Sequence, residues 1–206
     1  MDAALRAGIA VYNAGHHHAA HDAWEDPWLD RPNGSADERF LHGLIQFTAA
    51  IYHAERRNWA GAAGLAEGAG DYLADLDRSH RGVDLEPVRA YLRRLGADPE
   101  TVERASPPPL RHEGQALALD DLAAEAAFRA AVAVAESDER FDEATVAAAA
   151  DYAGEELADR GGGRFVALVM DFARDEGGGR PVVYARLRDH VERRRQRDRD
   201  VDGLFE

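Results

Sequence analysis

The sequence predicts an all-α protein, a helical bundle of about five helices followed by a smaller all-helical C-terminal region. Apolar residues recur at helical spacing along nearly the whole chain. Clusters of glycine, proline and asparagine break that pattern at intervals suited to helix ends. Only Val182-Val183-Tyr184 could open a short strand, and its surroundings favour helix.

Residues 2–13 place Leu5, Ile9 and Tyr12 on one face, and Asn13-Ala14-Gly15 supplies residues that tolerate a left-handed helix end. A second helix is expected over 17–29, with Pro27 kinking its last turn or ending it early. The turn Arg31-Pro32-Asn33-Gly34-Ser35 follows, and Ser35 with Glu38 matches a capping box. The third helix, 36–57, is the most apolar: Phe40, Leu44, Phe47 and Ile51 form a stripe that Leu41, Ile45 and Tyr52 broaden. Such a helix should be central, and Gly43 within it fits a close helix crossing. Two more helices are expected over 59–76 and 85–95, the latter with Val88, Tyr91, Leu92 and Leu95 on one face.

Pro107-Pro108-Pro109 is the clearest break, because consecutive prolines hold a stiff, extended connection. Helical patterns resume over 119–136, 143–159, 164–175 and 182–196. The expected organisation is a bundle over 1–104, a linker over 105–116 and a helical region over 117–206. That region ends in a polar tail, with Leu204 and Phe205 as a hook. Asn13-x-Gly15 and Asn58-x-x-Gly61, 45 residues apart, each lie between helices and suggest two stacked hairpins.

Thirty-nine acids against twenty-five bases give a net charge of −14, and every base is arginine. That excess argues against nucleic acid or an anionic membrane as partner. A lysine-free, alanine-rich acidic chain with three isoleucines reads as a protein adapted to a salt-filled cytoplasm. The expectation is a higher melting temperature in multi-molar KCl than in dilute buffer; equal melting in both sinks it. There is no cysteine, which excludes disulfides, thiolate metal sites and thiol catalysis. Neither a signal peptide nor a long apolar run is visible, so a soluble cytoplasmic protein is expected.

Residues 15–28 hold four of the nine histidines, three acids and two of the three tryptophans. His21 and Glu25 are four apart and share a helix face that Trp28 continues. On the third helix His42, Gln46 and His53 also lie roughly on one face. If these faces oppose each other, His21, Glu25 and His53 make a two-histidine, one-carboxylate set suited to zinc, iron or manganese. Asp22 points away and is placed as an outer partner. The alternative is structural: His21, Glu25, Gln46 and His53 close a hydrogen-bond network that sets the register of two helices. His17 and His18 are expected to pack partly buried, and Trp24, Trp28 and Trp59 are expected in the core rather than lining a ligand pocket. The run Arg193-Arg194-Arg195-Gln196-Arg197, interleaved with acids, reads as a self-paired solvated helix end.

The ordered residues Gly15, His21, Glu25, Trp28, Gly43, Leu44, Ile45, Gln46, Tyr52, His53, Asn58, Gly61 and Ala62 resemble the uncharacterised family catalogued as domain of unknown function 309. The resemblance covers residues 1 to about 95. Asp22 stands where that family carries a glutamate, and His17 and His18 replace an aromatic pair. The resemblance implies a compact helical fold and no established activity. Two functions stay open. One is a binding or interaction module for an unidentified protein or small molecule, built around a structural cluster of His21, Asp22, Glu25, Trp28, Gln46 and His53. The other is a metal-dependent, hydrolase-like enzyme using His21, Glu25 and His53, with Glu25 as general base. The apolar third helix leaves a homodimer open.

Overall fold

The structure is a computed structural model in which residues 1–202 are described. It divides into two compact units, Met1–Leu122 and a second beginning at Ala123. The expected hook at Leu204 and Phe205 lies outside the described residues.

The first unit contains α1 (Asp2–Asn13), α2 (His17–Leu29), α3 (Ala36–Glu55), α4 (Trp59–Ala74), α5 (Glu86–Ala97) and the short α6 (Thr101–Arg104). Phe40, Leu41, Leu44, Phe47 and Ile51 of α3 are fully buried, so the most apolar helix is central. Each such side chain contributes about 1.5–3 kcal/mol by leaving water. Against α3 pack α2 and α4. Gly43 sets the α3–α4 crossing: a Cβ there would come within 2.6 Å of the Leu73 side chain.

Local signals mostly decide the helix ends. Ser35 Oγ accepts from Glu38 N at 3.2 Å, as a capping box requires. The return half differs, because the Glu38 carboxylate accepts from Gly34 N at 3.3 Å. Pro27 neither ends nor breaks α2, which runs two residues further to Leu29 with Pro27 buried. The two hairpins α1–α2 and α3–α4 are present and pack through α2 and α3, but the asparagines that suggested the repeat are not equivalent. Asn58 caps the N-terminus of α4, accepting from Gly61 N, whereas Asn13 is the last residue of α1.

Asn13 instead clamps a distant segment. Its Nδ2 donates to Leu110 O and Leu117 O, and its Oδ1 accepts from Leu110 N, at 2.9–3.0 Å. The Tyr12 hydroxyl donates to Pro108 O at 2.9 Å. Residues 105–122 therefore lie in the first unit, laid along α1. Backbone amides and carbonyls that a free linker would give to water are satisfied by two side chains of one helix end.

Two hairpins are not predicted by the sequence patterns. β1 (Ser79–His80) pairs with β2 (Val83–Asp84), and β3 (Arg111–His112) with β4 (Gln115–Ala116); β2 and β3 join them into one antiparallel sheet. Each two-residue loop has left-handed φ at both central residues, Arg81 and Gly82 at 50° and 77°, Glu113 and Gly114 at 51° and 83°. This is the type I′ requirement that favours glycine second. The repeated His-x-Gly of His80-Arg81-Gly82 and His112-Glu113-Gly114 is its trace in the sequence.

Asp37, in the first turn of α3, ties the first hairpin to the bundle. It binds the Arg81 guanidinium and, at 3.0 Å, His80 Nε2. The Arg81 hydrogen bond lowers its pKa most, burial opposes, and His80 adds to the lowering, leaving about 2 against an ordinary 3.8. A depressed carboxyl stabilises the fold above its unfolded pKa and loses that contribution as pH falls toward the folded value. Urea melts should therefore lose stability between about pH 4 and pH 2 more steeply in the parent than in Asp37→Asn. Identical slopes in the two proteins would count against this linkage.

Among the described residues the second unit has four helices, α7 (Ala124–Glu136), α8 (Glu143–Arg160), α9 (Arg164–Arg174) and α10 (Arg180–Asp202). Val182-Val183-Tyr184 is helical, as expected. Phe141 meets Phe172 edge-on, ring centroids 5.1 Å apart, among buried Val146, Phe165, Val169, Leu187 and Val191. Glu156 Oε2 accepts from Phe165 N and Val166 N and so caps the start of α9. At its other end the buried Arg180 donates to Phe172 O and Asp175 O.

Candidate functional site

The inner face of α2 buries Ala19, Ala20, Ala23, Trp24 and Pro27. Trp24 is fully enclosed and its indole donates to Leu5 O at 3.4 Å, a core residue rather than a pocket wall. The opposite side of the helix carries His18, His21, Asp22 and Glu25. Ligating atoms of His21, Asp22 and Glu25 all lie within 4.8 Å of one another, with His21 and Asp22 half-buried and Glu25 exposed. Burial pushes the His21 imidazole below its ordinary value, Glu25 opposes, and His18 adds to the lowering. The neutral form, the one that can ligate a metal, is therefore favoured.

This gathering differs from the expected set in two residues. Asp22 belongs to it, because short side chains at i, i+1 and i+4 reach toward one point despite their angular offset at the backbone. His53 does not. Its Nδ1 pairs with Asn58 Nδ2 at 2.6 Å, inside the α3–α4 turn. Gly61 faces that pair so closely that a Cβ would come within 2.9 Å of His53 Nδ1. His53, Asn58 and Gly61 together form the lock of a helix–turn–helix.

Trp28 and Gln46 sit in a third arrangement, centred on Glu38. Glu38 is 8% exposed, and its Oε1 accepts from Trp28 Nε1 at 2.9 Å and contacts His42 Nδ1 at 3.3 Å. His42 Nε2 is 3.2 Å from Gln46 Nε2, and the His42 ring stacks on Tyr72 of α4 with centroids 3.9 Å apart. Burial pushes the Glu38 carboxyl up, but hydrogen bonds from Trp28, Gly34 and His42 outweigh it and hold it below the ordinary value. The polar seam between α2, α3 and α4 is thus closed by Glu38 and His42, not by His21 and His53. The capping-box match was the sequence signal for Glu38, which nothing else marked as buried.

His17 packs partly buried as expected, whereas His18 is exposed, with 52% of its side chain accessible. His17 lies against Tyr12 and reaches Glu55 at 2.9 Å, with 12% of its side chain exposed. His18 meets Tyr52 edge-on and approaches Asp22 at 3.5 Å.

The α1–α3 frame, the Glu38 seam and the Asn58–Gly61 turn all fall in one continuous stretch of sequence. Residues 5–65 match the family model described as domain of unknown function (DUF309). The DUF309 match ends within α4, short of the 95 residues over which the resemblance extends. It contains all three polar arrangements, and it marks the segment as an uncharacterised helical domain. No curated protein matches the chain. Among the described residues no helix is long and apolar enough to cross a membrane.

Proposed function

We propose that the chain is a binding module whose DUF309 segment takes a divalent transition metal on α2, through His21, Asp22 and Glu25. The gathering of these three donors within 4.8 Å supports this reading. One imidazole and two carboxylates suit zinc, iron or manganese and leave coordination positions for water or a partner's ligand. The seam cluster favours no such role, because Glu38, His42, Trp28 and Gln46 are spent on one another. A hydrolytic reading asks Glu25 to act as general base, yet Glu25 is one of the three donors.

Untagged protein, stripped of metal and titrated with Zn²⁺ and Mn²⁺ by calorimetry, should bind one equivalent. His21→Ala should abolish binding and Asp22→Asn should weaken it at least tenfold, while His53→Ala leaves affinity unchanged and lowers only thermal stability. Because burial holds His21 below the ordinary histidine value, binding should persist to lower pH than an unperturbed imidazole would allow and weaken as His21 takes up its proton. Zinc retained by His21→Ala, or lost on His53→Ala, would overturn the assignment.

A further inference from the structure

A second site lies in the other unit. Between α9 and α10 is a pocket of about 560 Å³ lined by Arg164, Ala167, Leu168, Arg186, His190 and Arg193. The spacings 164, 167, 168 and 186, 190, 193 place each set on one face of its helix. Among the described residues no acid lines the pocket, although the chain carries a net charge of −14.

The arginines here are used differently from those beside them. Arg194 is spent on Glu155 at 3.2 Å and Asp198 at 3.0 Å, as a self-paired helix predicts. Arg193 reaches Asp189 only at 3.8 Å. Among the described residues Arg164 and Arg186 form no ion pair, and Arg164 instead approaches His190 Nε2 at 3.5 Å. Placing cations side by side costs Coulomb energy unless an anion joins them. A guanidinium offers a planar fork of donors that matches phosphate oxygens, and a dianion can engage several forks at once. The volume falls in the range of small-molecule sites, about 300–1,000 Å³, and exceeds what a bare phosphate fills. Ala167 and Leu168 supply an apolar wall beside the charge.

We propose that this pocket binds a phosphate monoester of a small organic molecule, with Arg164, Arg186 and Arg193 on the phosphate and Ala167 and Leu168 against the organic part. His190 reports occupancy. Its imidazole is pushed down by burial and then by Arg164 and Arg193, with Asp189 and Glu156 opposing. A dianion seated on the arginines reverses the local field and raises that pKa.

The test uses the full chain in EDTA, which separates this pocket from any metal on α2. Calorimetric titration with phenyl phosphate should saturate at one equivalent and be tighter than titration with inorganic phosphate. The double variant Arg164→Gln/Arg186→Gln, altered only at exposed positions, should bind at least tenfold more weakly. NMR titration should show the His190 pKa rising on saturation. Absence of saturable binding, unchanged affinity in the double variant, or an unmoved His190 each overturns the proposal. Co-sedimentation with phosphatidylcholine vesicles containing phosphatidic acid distinguishes the source of the phosphate. Arginine-dependent sedimentation that phenyl phosphate cannot compete would assign the phosphate to a lipid headgroup and overturn the small-molecule reading.

Discussion

Glu38→Ala should cost about 3 kcal/mol of unfolding free energy in urea, the upper range for losing hydrogen bonds to a charged group. One side chain receives the Trp28 indole, the Gly34 amide and His42, at the start of the central helix. Truncation removes all three bonds and strands the Trp28 N–H at a half-buried position. It also removes a negative charge from the first turn of α3, where the helix dipole favours one. Glu38→Gln keeps an acceptor of the same shape and should recover roughly half the loss, since a neutral acceptor is about half as strong. A cost below about 1 kcal/mol for Glu38→Ala would mean that water replaces the carboxylate without penalty, and that the seam is not what holds α2 to α3.

Gly8→Ala should be destabilising by about 2–3 kcal/mol, although alanine is the better helix former by about 1 kcal/mol. The new Cβ would fall within the indole ring of Trp24, which is fully buried and has no room to retreat. Gly64→Ala is the matched control. Gly64 is also helical, nothing lies within 4 Å of the position its Cβ would take, and its helix is solvent-facing there. That substitution should stabilise by about 0.5–1 kcal/mol through helix propensity alone. Thermal melts of the two variants should move in opposite directions. A shared sign would show that packing against Trp24 does not decide the fate of Gly8.

Much of the fold was legible because helical periodicity is a local property. α3 was expected to be central from Phe40, Leu44, Phe47 and Ile51, and all four are fully buried. Gly43 was expected at a helix crossing and sits against Leu73. Two other features were out of reach. Strands of two residues are too short to show alternation, so the hairpins at 79–84 and 111–116 left only a repeated His-x-Gly. The prolines at 107–109 read as a stiff connection, and stiffness says nothing about what the segment lies against; Asn13 and Tyr12 decide that.

The polar residues divide along the same line. Sequence alone determined which side chains could meet within one helix: His21 with Glu25, and Ser35 with Glu38, are set by the helical repeat. It also determined the charge balance, the absence of thiol chemistry and the match of residues 5–65 to the model of an uncharacterised family. Tertiary structure alone decided which polar faces oppose each other. Trp28, not His21, reaches from α2 to Glu38 of α3, and His53 turns to Asn58 rather than toward α2. The physical reason is that partners across helices depend on side-chain rotamers, helix ends and crossing geometry. These are properties of packed surfaces, and no spacing along a single helix encodes them.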